Sequence, residues 1–193
     1  MDLRIERAGV QRLVEYACIP ITFTVTSIFD VELVNAGLGG MRMHEKQLTS
    51  PYMKDYDGYD GGPERWPQRF DISNWAFFLA YGKNRPIGGA AVAFHTPGVN
   101  MLVNRKDLAV LWDIRIHPDF RRRGVGSTLF RYAVEWAQSK GCTQLKIETQ
   151  NVNVPACKFY AKQGCHLGEI DRYAYAGHRQ VADEIMLIWY LNL

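Results

Sequence analysis

The sequence predicts an α+β fold built on a mixed β-sheet, and three observations support this prediction. From residue 74 onward, apolar segments separated by turn residues follow the order β-β-β-α-β-α-β-β. Hairpins at both ends of this run flank a central β-α-β unit, so the sheet must contain antiparallel and parallel neighbours. The composition, with 47% hydrophobic and 22% charged residues among 193, is that of a globular chain with a packed core.

The clearest elements lie in the second part of the chain. Apolar and aromatic residues between turn signals predict strands over residues 74–81, 86–95, 108–117, 143–149, 166–173 and 184–191. Residues 82–85 form the turn of the first hairpin. Helical spacing of Val125, Leu129, Ala133, Trp136 and Ala137 predicts a helix over residues 124–140, closed by Gly141. A shorter helix is predicted over residues 154–163, closed by Gly164.

The first part of the chain has weaker signals. Residues 8–18 fit a short helix with Leu13, Val14 and Ala17 on one side. Residues 21–34 are rich in β-branched and aromatic types and predict a long strand. Residues 35–70 are rich in glycine, proline and polar groups, which predicts a long loop with at most one short helix. Loops of that length are usually functional or mobile.

The chain start and the cysteines limit the class of protein. The first residues are charged and precede no apolar stretch, and the longest apolar run, 75–81, is too short to span a membrane. We therefore expect a soluble, cytoplasmic protein. The four cysteines lack metal-ligand spacing and are expected to be reduced, mostly buried and free of metal; they are Cys18, Cys142, Cys157 and Cys165.

The most informative motif is a run of three arginines and a glycine pair between a predicted strand and a predicted helix. It reads Arg121-Arg122-Arg123-Gly124-Val125-Gly126. The first N–H groups of a helix have no partner within the helix and carry partial positive charge, and glycine lets a phosphate approach the backbone. A tight turn or a solvated arginine corner would give the same pattern. The Gly-x-x-x-x-Gly-Lys-Ser/Thr and Gly-x-Gly-x-x-Gly motifs are absent, so a pyrophosphate would be held in another way.

Two motifs together resemble those of the GNAT superfamily of N-acetyltransferases. Arg121-x-x-Gly124-x-Gly126 matches the Arg/Gln-x-x-Gly-x-Gly/Ala signature of that family, and Asn153-x-x-Ala156-x-x-Phe159-Tyr160 follows after an intervening strand. The resemblance covers roughly residues 74–193. It implies a GNAT-like twisted mixed sheet with helices on both faces and a central splayed pair of parallel strands. It also implies a single acetyltransferase domain over residues 1–193, with a variable acceptor-side part at 1–73 and a cofactor-binding core at 74–193.

The resemblance assigns roles to individual residues, with acetyl-CoA as the co-substrate. Asn153 would hydrogen-bond the arm of acetyl-CoA, and Tyr160 would protonate the departing thiolate. The backbone of Ile114 and Ile116, on the strand that also carries Arg115, would pair with the pantetheine. The pyrophosphate would lie on the residues around the glycine pair, namely Arg121, Arg122, Arg123, Gly124, Val125, Gly126 and Ser127.

A general base is also needed, because a primary amine is mostly protonated at neutral pH. Asp113 is the first candidate, since family members often carry an acidic residue on this strand, and Glu148 is the second. Asp113 could instead point to the wrong face or hold Arg115. Trp112 stands one residue before Asp113, where an acid would also be expected, and this departure puts the assignment of the base in doubt.

A narrower resemblance concerns the acceptor. Residues 147–160, 50–56 and 188–191 resemble the streptothricin acetyltransferases, which acetylate an amino group on the β-lysine part of a cationic antibiotic. Acidic and aromatic groups between residues 51 and 67 would suit such a cation or would form a solvated loop; they are Asp55, Asp57, Asp60, Glu64, Tyr52, Tyr56, Tyr59 and Trp66.

Three other functions stay open at this point. They are acetylation of a protein or peptide, acyl-CoA binding without catalysis, and nucleic-acid binding through the arginines. The net charge of +3 is too small to indicate nucleic acid by itself. We expect a small-molecule amine as partner, no nucleic acid or membrane, and a monomer or homodimer.

Overall fold

The computed structural model describes residues 3–193, except the side chain of Asp60, so the predicted acceptor role of Asp60 lies outside the described part. Within this range the chain forms nine strands and five α-helices. The strands are β1 (Leu3–Ala8), β2 (Phe23–Leu33), β3 (Met41–Lys54), β4 (Ala76–Gly82), β5 (Arg85–Ala93), β6 (Leu108–Ile116), β7 (Gln144–Gln150), β8 (His166–Asp171) and β9 (Met186–Asn192). The helices are α1 (Leu13–Ala17), α2 (Asp57–Asp60), α3 (Trp66–Arg69), α4 (Val125–Ser139) and α5 (Val154–Lys162).

The chain divides into two compact units. Unit 1 comprises Met1–Thr22, Asp55–Ile147 and Tyr190–Leu193, and unit 2 comprises Phe23–Lys54 and Glu148–Trp189. The predicted arrangement of one domain with a boundary between residues 73 and 74 stays a prediction.

Unit 1 contains the mixed sheet that the sequence predicts. Its strands are hydrogen-bonded in the order β1-β4-β5-β6-β7. The first three pairings are antiparallel, and β6 and β7 are parallel, as the predicted order β-β-β-α-β-α-β-β requires. In unit 2, β9 lies between the end of β7 and β8, and β2 pairs with β3 in a separate antiparallel ribbon.

Two adjacent glycines in β5 let helices approach both faces of the sheet. Successive residues of a strand point to opposite faces. A Cβ on Gly88 would come within 3.0 Å of Leu129 in α4, whereas a Cβ on Gly89 would lie 2.5 Å from the Tyr16 ring in α1. The predicted arrangement of helices on both faces is therefore confirmed in unit 1.

The long helix follows its sequence pattern closely. The five residues predicted to form its apolar face are buried in α4. At its end, the Cys142 N–H donates to the Ala137 carbonyl and the Gly141 N–H to the Gln138 carbonyl, while Gly141 has φ 77°. This is a Schellman motif, which glycine favours because it adopts a positive φ without a steric cost.

The prediction of a long loop over residues 35–70 is wrong. The 14-residue strand β3 fills much of this range, because its backbone pairs with β2 from Leu33↔Met41 to Phe23↔Lys54. Most of its side chains are exposed, so the alternation of buried apolar residues that marks a strand is missing. Pro51 lies where the register shifts, a position that tolerates a residue without an N–H group.

The predicted face of the first helix also needs correction. A helix is present, but Val14 is 56% exposed and the fully buried side chain is Tyr16. Leu13 and Tyr16, three residues apart, form the inward side of α1. Tyr16 can be fully buried because its hydroxyl donates a hydrogen bond to Asp113 and is not left without a partner.

The cysteines match the prediction that they are mostly buried thiols. All four are free thiols, and three of them are buried, namely Cys142, Cys157 and Cys165. Burial raises the pKa of Cys157 to about 11, so this thiol stays protonated at neutral pH.

Replacing Gly89 by alanine is expected to destabilise the protein. The new Cβ would collide with the Tyr16 ring, and overpacking of this kind costs about 1–3 kcal/mol of unfolding free energy. Urea unfolding followed by tryptophan fluorescence measures the change. Gly58→Ala is the control, because a Cβ at Gly58 in α2 meets no atom within 4 Å. Equal stability of the Gly89→Ala and wild-type proteins would contradict the packing described above.

Candidate functional site

The arginine–glycine motif lies between β6 and α4 and exposes the start of that helix. Gly124 is the residue before α4, with φ 83° and no side chain to cap the helix. A Cβ built on Gly124 would meet no atom within 4 Å, so the space around this turn is open. The first turn of α4 therefore presents backbone N–H groups and the positive end of the helix dipole, which together favour an oxyanion.

The three arginines of the motif have different environments. Arg121 is half-buried, and its guanidinium donates to the carbonyls of Ile116 at 3.1 Å and Thr22 at 2.6 Å. Burial lowers the pKa of Arg121, although the group stays charged. Arg122 has φ 57°, and Arg123 lies over the Phe120 ring at 5.5 Å. Arg121 thus braces the turn, whereas the exposed Arg122 and Arg123 carry its charge into solvent.

A bulge in β6 marks the end of the parallel pairing. The ladder with β7 runs from Leu108↔Gln144 to Leu111↔Ile147. On the other side of β6, Val92 pairs with Leu111 and Ala91 with Asp113, which leaves Trp112 as the extra residue. A bulge bends its strand and increases the local twist. Strand β6 therefore changes direction where its parallel ladder ends, and the predicted cofactor-binding residues Ile114, Arg115 and Ile116 follow this bend.

Asp113, the first candidate for the base, belongs to a buried ion cluster. Its carboxylate accepts hydrogen bonds from the Tyr16 hydroxyl at 2.6 Å and from the Arg115 guanidinium at 2.8 and 3.0 Å. Burial and the Asp113 charge raise the pKa of Tyr16 well above its ordinary value, so its hydroxyl stays protonated. The side chain of Asp113 is 8% exposed. Asp113 is thus held by a cation and a phenol within unit 1.

Arg115 has a second carboxylate partner, which sequence reasoning missed. Its guanidinium is 1% exposed and binds both oxygens of Asp57, at 2.7 and 2.9 Å, while also donating to the Ile19 carbonyl. Burial by itself would lower the pKa of Arg115, but the charges and hydrogen bonds of Asp113 and Asp57 outweigh burial and raise it. The Arg115 side chain is therefore committed to this cluster. Its predicted cofactor contact would have to come from the backbone.

Unit 2 carries Glu148, the second candidate for the base. Its carboxylate accepts hydrogen bonds from the Tyr175 hydroxyl at 2.6 Å and from the Gln150 amide at 3.3 Å. Gln150 also donates to the Tyr175 oxygen at 2.8 Å. Sequence reasoning missed Tyr175, because nothing in its local pattern distinguishes it from other loop tyrosines.

The second predicted motif forms the first two turns of α5 in unit 2. Asn153 caps the helix, with its side-chain oxygen accepting from the Ala156 N–H at 3.2 Å. Tyr160 is buried, and its ring contacts Phe159 at a centroid distance of 5.3 Å. The motif therefore forms a helix that Asn153 caps at its start and that carries the buried phenol of Tyr160.

The acidic and aromatic segment after Pro51 is more ordered than a solvated loop. Tyr59 is 46% exposed, and Asp55 accepts a hydrogen bond from the Asp57 N–H. Trp66, however, is 2% exposed and stacks on Phe77 in the core. Its predicted place on an acceptor-binding surface is wrong, because its indole belongs to the hydrophobic core of unit 1.

One further polar group lies on the β2–β3 ribbon. The ligand atoms of Asp30, Glu32 and His44 lie within 4.8 Å of one another because the two strands pair in register. These groups are exposed or half-buried, and such groups commonly occur without an ion. We assign no function to them.

Comparison with known proteins identifies the family that this fold and these motifs define. The chain belongs to the GNAT acetyltransferase family, whose sequence profile matches residues 43–165. It is therefore an enzyme of the acetyl-CoA-dependent N-acetyltransferase class. It is 32% identical over 151 residues to streptothricin acetyltransferase A of Bacillus subtilis, covering 76% of each chain. It is 31% identical over 168 residues to the streptothricin acetyltransferase of Escherichia coli, covering 87% of this chain and 84% of that one.

A solved structure supports the same assignment. The crystal structure of a Bacillus anthracis protein, a candidate streptothricin acetyltransferase in complex with acetyl coenzyme A, superposes with a TM-score of 0.78. The two chains are 26% identical, and the alignment covers 100% of each. In addition, residues 3–193 contain no helix of the length and apolarity that membrane crossing requires.

Proposed function

We propose that this enzyme acetylates a primary amino group of a small cationic acceptor, and that streptothricin is such an acceptor. The observation that carries the proposal is the identity of 31–32% to two streptothricin acetyltransferases over at least three quarters of this chain. Both alignments extend far beyond the two family motifs, so the similarity is not limited to the residues that all members of the family share. The preferred target is an amino group on the β-lysine part of the antibiotic.

The residues around Gly124 fit the pyrophosphate of acetyl-CoA. The first turn of α4 offers backbone donors, the turn at Gly124 leaves open space, and two exposed arginines add positive charge. In our proposal residues 121–127 hold the pyrophosphate, the backbone of Ile114 and Ile116 pairs with the pantetheine, and Asn153 hydrogen-bonds the arm. Acetyl-CoA supplies the activated acetyl thioester.

The proton transfers are assigned to Glu148 and Tyr160. The attacking amine must lose one proton, and the departing thiolate must gain one, as the C–N bond forms and the C–S bond breaks. Glu148 is the preferred acceptor of the amine proton, because its carboxylate is only half-buried and is oriented by the Tyr175 hydroxyl and the Gln150 amide. Asp113 is the weaker candidate, because its side chain is 8% exposed and its two oxygens are occupied by the Arg115 guanidinium and the Tyr16 hydroxyl. Tyr160 donates the proton to sulfur, since a phenol and a thiol have similar pKa values.

An acceptor screen tests the proposed function. Release of free thiol from acetyl-CoA should be rapid with streptothricin and slow with aminoglycosides, polyamines and peptides. Mass spectrometry of the product should show one added acetyl group on the β-lysine part. Fast turnover of peptides with none of streptothricin would instead favour a protein N-acetyltransferase, and CoA binding without turnover of any amine would favour a non-catalytic module.

Substitutions at the three candidate residues should separate catalysis from stability. Glu148→Gln and Tyr160→Phe are each expected to lower kcat about 100-fold or more, with a smaller loss of unfolding free energy than Asp113→Asn. Asp113→Asn is expected to lower the unfolding free energy by about 3 kcal/mol, because it breaks a buried ion pair. Steady-state kinetics and urea unfolding on the same preparations measure both. Tyr132→Phe in α4 is the control. Full turnover by Glu148→Gln would show that Glu148 is not the general base.

Two glycines at opposite ends of α4 provide a matched test of the pyrophosphate site. Gly124 and Gly141 both have a positive φ, and a Cβ on either meets no atom within 4 Å. Alanine at either position is therefore expected to cost about 1 kcal/mol of stability through backbone strain. Only Gly124→Ala should also raise the dissociation constant of CoA, about 10-fold, which corresponds to about 1.4 kcal/mol. Isothermal titration calorimetry measures the constants, and an equal rise in both variants would place the pyrophosphate elsewhere.

A further inference from the structure

We propose that Arg115 is a positioning residue that fastens the segment formed by residues 55–70 to strand β6 through Asp57, and that this attachment sets the affinity for the amine. The inference rests on the proposed function, because it assumes that this segment contributes to acceptor binding. It differs from the expectation from sequence, in which Asp57 itself would pair with the cation.

The geometry at Arg115 is that of an anchor. Both terminal nitrogens of its guanidinium bind the two Asp57 oxygens, at 2.7 and 2.9 Å, which is the bidentate arrangement that fixes orientation as well as distance. The same guanidinium binds Asp113, which lies two residues earlier on β6. Asp57 is 58 residues away in sequence and begins helix α2. The pair therefore connects a distant segment to the strand.

The segment needs such an anchor because its own structure is short. Helix α2 has four residues and α3 has four, and helices of this length are not stable without tertiary contacts. At the other end of the segment, Trp66 is buried against Phe77. Asp57 and Trp66 thus fix two points, and the half-exposed Tyr59 lies between them. Loss of the attachment at Asp57 would loosen the part of the segment that follows it.

Of the three charged residues in the cluster, Asp57 is the one whose charge can be removed while the other two stay paired. Arg115 contributes one positive charge, and Asp113 and Asp57 contribute one negative charge each. Removing the charge of Asp57 leaves Arg115 paired with Asp113, whereas removing Arg115 leaves two neighbouring carboxylates without their shared cation. The Asp57 side chain is also 30% exposed, so the amide in Asp57→Asn can form hydrogen bonds with water.

The test compares Asp57→Asn, Arg115→Lys and the double variant. Lysine keeps the positive charge but cannot bind a carboxylate through a two-pronged guanidinium. Each single variant is expected to raise the KM for streptothricin about 10-fold, since the acceptor must then order the segment on binding. In Asp57→Asn, the KM for acetyl-CoA and kcat should stay within about twofold. The double variant should be no worse than the more affected single variant, because both changes break one attachment.

Asp107→Asn is the matched control, because Asp107 is also bound by two guanidinium nitrogens of an arginine, Arg105, but lies outside the segment. Its KM for streptothricin should equal that of the wild type. Independent, additive effects of Asp57→Asn and Arg115→Lys would overturn the proposal, as would an unchanged acceptor KM in Asp57→Asn.

Two further measurements distinguish an anchoring role of Asp57 from a direct ion pair with the amine, and failure of the anchor from failure of the proposed acceptor. If Asp57 paired with the amine, the penalty in Asp57→Asn would grow with the charge of the acceptor across a series of amines; an anchor gives the same fold-change for each. Amide hydrogen exchange without substrate should speed up within residues 55–70 in Asp57→Asn and not in Asp107→Asn. Faster exchange in Asp57→Asn, together with no turnover of streptothricin by the wild type, would support the anchoring role and show that streptothricin is not the acceptor. Unchanged exchange would show that Asp57 does not anchor the segment.

Discussion

A guanidinium that is 1% exposed must find its hydrogen bonds inside the protein, and Arg115 finds them in carboxylates from two different segments. Much of unit 1 follows from that requirement. Asp113 must be charged and turned towards Arg115, and Tyr16 must be close enough to donate to Asp113. The Tyr16 ring can reach that place only because Gly89 has no side chain on the neighbouring strand. One buried charge therefore dictates the residue types at positions in α1, α2, β5 and β6.

The same physical rule separates two carboxylates that look alike in the sequence. A buried carboxylate whose oxygens bind a guanidinium is held in place by that contact and has a structural role. Asp113 is in that position. Glu148 accepts hydrogen bonds from a phenol and an amide, which orient it without adding a positive charge. In our proposal this difference in partners and burial, more than position on a strand, favours Glu148 as the acceptor of the amine proton.

Elements governed by local chemistry were predictable from the sequence, and contacts between distant segments were not. Helix α4 has an apolar face and a closing glycine within one stretch, so its limits differ from prediction by a residue at each end. Strand β3 forms because β2 lies beside it, and its exposed side chains carry no signal of that pairing. Likewise, Tyr16 and Asp113 are 97 residues apart, and no spacing rule could connect them. Trp66 was misplaced for the same reason, since its stacking partner Phe77 lies in another element.

This division has a consequence for how each half of the proposed reaction is encoded. Donor binding, as proposed, would depend on a turn geometry at Gly124, a helix start and two exposed arginines, all within a few consecutive residues. Arg121 braces the turn through backbone carbonyls, so the run of arginines contains one structural member beside two exposed ones. Acceptor binding, in contrast, would depend on a segment held in place by a partner 58 residues away. A motif can therefore identify the donor, whereas the proposed acceptor site depends on contacts that only the folded chain brings together.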